Sequence, residues 1–329
     1  MWPPIRMIPK VGPGVGLGHT VRCLALASKL RTDNARDVRF LLSSRARERQ
    51  IVRRERFSVG HLEPRSTLSD QAAYVVDLDA PPASWPFGFI SAPIVLAAID
   101  DRGLIRRGVD IVVNQNVNAN RNQYGPSVTT LVGPRFALLR REFELARLRT
   151  RKVRETGRRV VVTLGGSDPV GGTAGVLEAL APARFDMVAV VGPNFRHNVR
   201  PPNRSAARIR VVRNPRRMAS LFQWADVAIS AGGSTLYELA ACGTPAITMS
   251  ENTAQEEHGK SLQELGVVEY VGSADHVGDE LLSITADLLQ DRRRRREMSR
   301  SGRNLVDGHG TERVTRMLYR ATTSWRDRQ

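Results

Sequence analysis

The sequence has few cysteines, few aromatic residues and no long apolar run, and each shortage excludes a class of protein. Its two cysteines, Cys23 and Cys242, fall in apolar segments with helical spacing, which predicts buried free thiols rather than a disulfide framework or a metal site. No stretch approaches the ~20 apolar residues of a membrane-spanning helix, and the N-terminal residues lack a secretory-signal pattern. We therefore expect a folded cytoplasmic protein without stable membrane insertion.

Lysine is scarce but arginine is abundant: four lysines and 46 arginines outnumber 33 acidic residues, for a net charge of +17. Such a charge could indicate nucleic-acid binding, but the arginines are scattered, aromatic residues make up only 5%, and no nucleic-acid-binding motif accompanies them. The one dense run, Arg292 to Arg296, follows an amphipathic helical pattern and predicts a solvated helix face. We expect no nucleic-acid partner, although the excess charge could attract a phosphorylated substrate.

Strands alternate with helices along the whole chain, and its 329 residues are more than one core usually spans. A strand, a glycine-rich turn and a helix occur in order from Ile5 to Leu30, and the same order begins again at Arg159. The predicted strands are Val38–Leu42, Tyr74–Val76, Ile94–Ile99, Ile111–Val113, Phe185–Val191, Ile209–Val212, Val227–Ser230 and Thr244–Met249. This pattern predicts an α/β protein with two Rossmann-like doubly wound domains, residues 1–150 and 151–329, facing an interdomain cleft. The charged segment 140–158 is the predicted link between them.

The first glycine-rich loop could bring its backbone amides close to a ligand, and it has a histidine at the start of the next helix. In order it holds Gly12, Gly14, Gly16, Gly18 and His19. It is not a dinucleotide fingerprint, because no acidic residue follows the second strand. Gly16 and Gly18 are candidates for phosphate contacts through their amides. A helix N-terminus favours a neutral histidine that accepts a proton, so His19 is a candidate catalytic base; the alternative is a helix cap.

Two further loops of small residues follow strands in the second half. Gly166 and Ser167 could hold an anion, although a capped turn, with Ser167 or Asp168 as the cap, fits equally well. The other loop contains Gly232, Gly233, Ser234 and Thr235, with Glu238 one turn further on. Free N–H groups and hydroxyls at a helix start suit a diphosphate, and a carboxylate one turn on could accept from ribose hydroxyls. The alternative role for Glu238 is charge compensation of the helix end.

Polar residues after other strands are candidates for sugar contacts. They are Asp77 and Asp79 in the first half, and Asn252 and Gln255 in the second. Each of them could instead cap a turn. The remaining histidines lack metal-ligand spacing, so no metal site is predicted.

Five blocks give the chain a family resemblance. They are GLGHTVRCLALA from Gly16, IDD from Ile99, GPRFALLRREF from Gly133, GGSDP from Gly165 and AGGSTLYE from Ala231. The chain resembles the UDP-sugar hydrolases of the pseudaminic-acid pathway and their spore-coat polysaccharide relatives, and its last block resembles MurG-type GT-B glycosyltransferases. The resemblance implies a GT-B fold and a UDP-sugar substrate, with no cofactor and no metal. It also implies that His19 activates water at the anomeric carbon, that the Gly232–Thr235 loop holds the diphosphate, and that Glu238 binds the ribose.

Two other functions stay open. The same scaffold could be a glycosyltransferase in which His19 deprotonates an acceptor hydroxyl, or a binding protein without catalysis. A transferase acting on membrane lipids would expose an apolar patch, for which the segment from Trp85 to Ile90 is the sole candidate, with core packing as its alternative. The chain departs from the family at Asp79, Phe136 and Thr253, which predicts an altered sugar pocket. The sequence makes no prediction of oligomeric state.

Overall fold

The structure is a computed structural model that describes residues 1–12, 15–44, 46–278 and 280–327. Gly14 of the first glycine loop lies outside the described residues. The chain forms two compact units, one of Met1–Arg141 with His309–Gln329, and one of Glu142–Gly308. This division differs from the predicted one at residue 150 in two ways: the first unit ends at Arg141, and the segment from His309 onwards returns to it.

The first unit is built on a seven-stranded parallel sheet with the order β3-β2-β1-β5-β7-β8-β9. Its elements are β1 (Ile5–Pro9), α1 (Gly18–Thr32), β2 (Val38–Leu42), α2 (Glu48–Arg54), β3 (Ser58–His61), β4 (Ser66–Leu68), β5 (Ala73–Asp77), β6 (Phe87–Phe89), β7 (Val95–Ile99), β8 (Ile111–Asn114) and β9 (Thr129–Val132). The central strands are buried on both faces, as expected for apolar β-branched runs in a parallel sheet. Strands β4 and β6 form a separate pair.

The second unit holds a six-stranded sheet with the order β12-β11-β10-β13-β14-β15, again parallel. Its elements are α3 (Arg141–Arg147), β10 (Arg159–Thr163), α4 (Gly172–Leu180), β11 (Asp186–Val191), β12 (Arg208–Arg213), α5 (Met218–Trp224), β13 (Val227–Ala231), α6 (Thr235–Cys242), β14 (Ala246–Ser250), α7 (Thr253–Glu264), β15 (Val268–Ser273), α8 (Glu280–Gln290) and α9 (Arg292–Leu305). Both sheets reverse strand order beside their first strand. In such folds ligands bind at the carboxyl ends of the strands near that reversal. The prediction of two Rossmann-like α/β units is therefore confirmed.

The last helix, α10 (Gly310–Arg326), belongs to the first unit. Val314 and Leu318 lie in the core of that unit, and the Thr311 hydroxyl donates to the Leu139 carbonyl at 3.0 Å. Glycine at position 310 lets the start of α10 lie against Ala137, because a Cβ there would lie 2.3 Å from the Ala137 carbonyl oxygen. The sequence analysis makes no prediction for this segment, and the structure shows that its buried face covers the first sheet.

Two charged segments are more buried than the sequence predicts. The predicted link 140–158 contains α3, whose Phe143 is fully buried and stacks on Phe222 with ring centroids 5.9 Å apart. In the arginine run, Arg295 is fully buried, and its Nε donates to the Leu288 carbonyl at 2.9 Å. The prediction of a solvated face is therefore wrong for Arg295, because a guanidinium can enter a core where backbone carbonyls accept its hydrogen bonds.

Other expectations about burial are confirmed. Cys23 and Cys242 are buried free thiols. Trp85 and Phe87 are buried in the first unit, as the core-packing alternative requires, whereas Ile90 is 71% exposed. Among the residues that the structure describes, every helix is too short or too polar to cross a lipid bilayer.

Candidate active site

In the first unit, three neighbouring strands place a histidine, an arginine and two aspartates at one edge of the sheet. The loop after β1 leads into α1, whose second residue is His19. Strand β5, which pairs with β1, ends at Asp77, and β7, which pairs with β5, precedes Asp101. Because parallel strands end at the same edge, residues far apart in sequence meet there. Gly16 and Gly18 lie exposed at the start of α1.

The centre of this cluster is the pair of His19 and Asp77. The imidazole Nδ1 lies 2.7 Å from Oδ1 of Asp77, and Arg22 donates to both carboxylate oxygens, from Nε at 2.6 Å and from Nη2 at 2.5 Å. Burial alone would raise the pKa of this fully buried carboxyl, but the Arg22 guanidinium and His19 lower the pKa of Asp77 to about 2. Asp77 is therefore a carboxylate at neutral pH.

The ionised state of Asp77 fixes the tautomer of His19, because Nδ1 lies closer to Oδ1 of Asp77, at 2.7 Å, than to Nη2 of Arg22, at 3.1 Å, and Nη2 already donates to the same Oδ1. A carboxylate only accepts hydrogen bonds, so the proton between the two groups belongs to Nδ1 of the imidazole. In the neutral ring the lone pair then lies on Nε2, which is 3.5 Å from Oδ2 of Asp79. A buried carboxylate that orients a histidine, with the other ring nitrogen left to accept a proton, is the arrangement of a general base.

Arg22 is a site residue to which the sequence analysis assigns no role. It is 4% exposed, and its Nη1 also donates to Oδ2 of Asp101. Burial would lower the pKa of Arg22, yet Asp101 and Asp77 hold it well above its usual range, so the guanidinium stays charged. The sequence feature that could have identified Arg22 is its spacing from His19, because residues three apart on one helix share a face.

Asp79 lies beside the histidine in a left-handed backbone conformation, with φ +50°. Its Oδ2 accepts from Nζ of Lys10 at 3.3 Å, and its Oδ1 is buried without a partner among the described residues. Ligand atoms of His19, Asp77 and Asp79 lie within 4.8 Å of one another, close enough to hold a metal ion. However, both oxygens of Asp77 already accept from the Arg22 guanidinium, whose charge opposes a cation at the same carboxylate.

In the second unit, the loops after β10, β13 and β14 are neighbours because these strands are adjacent. The loop Gly232–Thr235 connects β13 to α6. A Cβ at Gly232 would lie 2.7 Å from the Gln255 carbonyl oxygen, whereas one at Gly233 would meet nothing within 4 Å. Within the described part of the chain, the N–H groups of Gly233, Ser234 and Thr235 have no hydrogen-bond partner. Free N–H groups at a helix start bind anions.

A buried histidine holds this loop in place. Nδ1 of His258 lies 2.8 Å from the Gly232 carbonyl oxygen, and Nε2 lies 2.8 Å from the Tyr237 hydroxyl. Because the carbonyl can only accept, Nδ1 carries the proton, and Nε2 of the neutral ring accepts from the tyrosine. The sequence analysis excludes a zinc role for the remaining histidines and finds no other role for His258, since nothing local in the sequence predicts a contact across 26 residues.

In the loop after β10, a buried aspartate bonds to the following helix. Asp168 is fully buried, and its Oδ2 accepts from the Thr173 N–H at 3.1 Å and lies 3.1 Å from His197 Nε2. The N-cap position of α4 is Gly171, and Asp168 accepts from an N–H of the first turn of this helix. Gly166 and Ser167 are partly exposed.

Asn252 and Gln255 form hydrogen bonds that stabilise the start of α7. The Asn252 carbonyl oxygen Oδ1 accepts from the Gln255 N–H at 3.1 Å. The Gln255 amide accepts from the Glu251 N–H and donates to Glu251 Oε2, each at 3.0 Å. The capping alternative therefore describes both residues in the structure. Burial raises the pKa of Glu251, and Asp168 adds to this effect, while Gln255 opposes it.

Comparison with known proteins relates the chain to sugar-transfer proteins. The profile of the Glycosyltransferase family 28 C-terminal domain matches residues 174–309, which include the Gly232–Thr235 loop and Glu238. The spore coat polysaccharide biosynthesis protein SpsG of Bacillus subtilis is 32% identical over 199 residues, 56% of this chain and 57% of that protein. The chain thus spans little more than half the length of this relative.

Solved structures share the fold. MurG of Acinetobacter baumannii aligns with a TM-score of 0.62 at 14% identity, over 97% of this chain and 100% of that one. The glycotransferase of kitacinnamycin aligns with a TM-score of 0.65 at 15% identity, over 97% of this chain and 99% of that one. The chain therefore has the GT-B fold, and its sequence is similar to glycosyltransferase-like proteins.

Proposed function

We propose that this protein is an enzyme that transfers a sugar from a nucleotide-sugar, UDP-sugar above all, to a hydroxyl acceptor. The observation that carries the proposal is the pair of His19 and Asp77, in which a buried carboxylate leaves Nε2 of the imidazole to accept a proton. Further support comes from the family 28 domain match and from the GT-B fold shared with glycosyltransferases.

In the proposed reaction the acceptor hydroxyl attacks the anomeric carbon of the sugar. Its proton passes to Nε2 of His19, and the bond between C1 and the diphosphate oxygen breaks with its electron pair on the diphosphate. General-base assistance of this kind accelerates reactions by about 10²–10⁴. Asp77 keeps Nδ1 protonated and stabilises the imidazolium that forms.

The second unit would bind the nucleotide. N–H groups of Gly233, Ser234 and Thr235 would stabilise the charge that develops on the departing diphosphate, as preorganised donors do elsewhere. Glu238, three residues after Thr235, would accept from the ribose hydroxyls, and Gly166 and Ser167 would contribute phosphate contacts. No step of this reaction requires a metal or a cofactor. For the sugar, Asp79 is the candidate in the first unit, and Asn252 and Gln255 retain amide donors in the second.

Hydrolysis is the second candidate, with water in place of the acceptor. It is supported by the blocks that begin at Gly16 and Gly133, which resemble UDP-sugar hydrolases. The residues would have the same roles, because water and an alcohol lose their proton to the same base.

The test is UDP release from a panel of UDP-sugars, first without and then with candidate acceptor alcohols, followed by NMR of the sugar C1. UDP release only with an acceptor, and a new glycosidic C1 signal, would support the transferase. Release with free sugar in water alone would favour the hydrolase. Absence of both UDP binding and turnover across the panel would overturn both. EDTA should leave the rate unchanged, and a loss reversed by a divalent cation would contradict the metal-free reaction.

A further inference from the structure

In addition to the cluster around His19, the first unit has a concave surface between the edge strand β9 and one face of α10. It is a groove of about 440 Å³. Its lining residues are four apolar side chains, two threonines (Thr129 and Thr130) and a set of arginines. The arginines are Arg121, Arg135, Arg313, Arg316 and Arg320. None of the described residues that line it is acidic.

The three arginines on α10 are placed for a common ligand. Arg313, Arg316 and Arg320 are spaced at i, i+3 and i+7, so their side chains share one helix face. Like charges at this spacing destabilise a helix, and the Glu312 carboxylate, 2.6 Å from Nη2 of Arg316, offsets part of that cost.

The groove is also partly ordered in advance. Nη1 of Arg313 donates to the Arg135 carbonyl at 2.8 Å, and Nη2 of Arg121 donates to the Thr130 carbonyl at 3.3 Å. The Arg135 guanidinium lies over the Phe136 ring, 5.4 Å from its centroid. Holding guanidinium groups before a ligand arrives lowers the entropy cost of binding.

The floor below the arginines is apolar. It is formed by Val128, Leu131, Phe136 and Met317. A membrane surface or a nucleic-acid duplex would suit a broad exposed patch, whereas a concave groove of this size is in the range of small-molecule sites. Arginine, unlike lysine, presents a planar fork that binds phosphate oxygens in pairs.

We infer that this groove is a binding site for a small soluble ligand with a diphosphate or triphosphate group. The apolar floor would accept the organic part of such a ligand, and the arginines of the segments that flank β9 and of α10 would bind the phosphates. The inference does not rest on the proposed function, because that function places its nucleotide on the second unit.

Calorimetric titration of the full chain and of its Gly233→Ala variant, each with inorganic pyrophosphate and with tripolyphosphate, tests the inference. We expect a binding event that persists in Gly233→Ala, which alters only the loop proposed to hold a diphosphate in the second unit. The variant Arg313→Gln/Arg316→Gln/Arg320→Gln should weaken it at least tenfold, since each hydrogen bond to a charged group contributes about a factor of ten or more. The single variant Arg320→Glu should also weaken this binding, and it leaves the hydrogen bonds of Arg313 and Arg316 in place.

The matched control is Arg293→Gln/Arg296→Gln/Arg300→Gln on α9, which removes the same charge at the same spacing. As on α10, one of the three arginines forms an i,i+4 ion pair in the unaltered chain, here Arg293 with Glu297 at 2.8 Å. This variant should bind pyrophosphate as the unaltered chain does. Equal weakening in both triple variants would show binding to net charge and overturn the site. Absence of any pyrophosphate or tripolyphosphate binding that persists in Gly233→Ala would also overturn it. Sedimentation with phosphatidylserine vesicles, or binding of duplex DNA, that is lost in the α10 variant while neither phosphate probe binds would replace the small ligand by a membrane or a nucleic acid.

Discussion

Nδ1 of His19 lies 2.7 Å from Oδ1 of Asp77, a carboxylate with no exposed surface that also accepts two hydrogen bonds from Arg22. The distance and the burial together assign the proton to Nδ1, which leaves Nε2 as the basic atom. The role of His19 thus depends on a contact across 58 residues that neither partner reveals alone.

Replacement of His19 by alanine should abolish most turnover without changing nucleotide affinity. The base acts on the nucleophile only, so kcat should fall by about 10²–10⁴ while the dissociation constant for UDP stays constant. His276→Ala, at a side chain that is 88% exposed, is the control and should be unaffected. Unchanged kcat in the His19 variant would remove this residue from the mechanism.

Asp77→Asn should alter the tautomer of His19 and lower kcat. An amide can donate as well as accept, so the preference for a proton on Nδ1 is lost, which nitrogen-15 NMR of the imidazole measures directly. The variant should also lose about 3–5 kcal/mol of stability, because Arg22 is left buried with one carboxylate partner fewer. Asp101→Asn is the control: it keeps the contact between His19 and Asp77, and should retain the tautomer and most of kcat.

The same carboxyl predicts how stability depends on acid pH. The pKa of Asp77 in the folded chain is about 2, below the ~3.9 of an unfolded aspartate. The unfolded chain therefore binds its proton first, and the stabilisation by Asp77 is complete above about pH 4 and is lost as the pH falls towards 2. Chemical unfolding from pH 5 down to pH 2 should show a smaller slope in Asp77→Asn than in the unaltered chain; an equal slope would contradict the lowered pKa.

Two adjacent glycines should respond differently to alanine. At Gly232 the new Cβ would lie 2.7 Å from the Gln255 carbonyl oxygen, so Gly232→Ala should cost about 1–3 kcal/mol of stability and also weaken UDP binding. At Gly233 the Cβ meets no protein atom within 4 Å, so the fold should keep its stability. If a diphosphate occupies that space, Gly233→Ala should still weaken UDP binding. Thermal unfolding and UDP titration of both variants separate the effects, and normal UDP affinity in Gly233→Ala would argue against a diphosphate at this loop.

Glu251→Gln should stabilise the protein at neutral pH. Burial raises the pKa of Glu251, so the folded chain binds its proton more tightly than the unfolded chain does. Its destabilising contribution appears as the pH rises above about 4.3 and is complete above the folded pKa. Glutamine can still accept from Gln255 Nε2 and carries no charge. The stability difference between the variant and the unaltered chain should grow from pH 4 to pH 7; a difference that is constant with pH would contradict a raised pKa.

Much of the fold follows from local sequence patterns. All eight predicted strands with stated bounds lie within two residues of the observed ones: Val38–Leu42 is unchanged, and Thr244–Met249 begins two residues later, at Ala246. Buried β-branched runs in a parallel sheet produce this strong signal because both faces are apolar. The predictions failed where burial depends on distant partners. Arg295 needs carbonyl groups of Arg154 and Glu155, and α3 needs the Phe222 ring.

In the candidate site, too, some residues follow from local sequence patterns, and others have roles that only the tertiary structure reveals. The glycine loops and His19 could be predicted, because glycine spacing and a helix start are local features. Asn252 and Gln255 could be predicted as polar strand-end residues, but only the structure shows that they cap α7. Arg22 and His258 have roles only through contacts with residues far along the chain, with Asp77 and Gly232 respectively.

Local patterns in the sequence are enough to predict the alternation of strands and helices, the two α/β units and the positions of the glycine-rich loops, because the hydrophobic periodicity and the placement of glycines act over a few residues. The tertiary structure is needed to see which sheet the final helix covers, which nitrogen of His19 is basic and which arginines line one groove. These outcomes depend on distances between residues that are remote in sequence, and on the burial that fixes their charge.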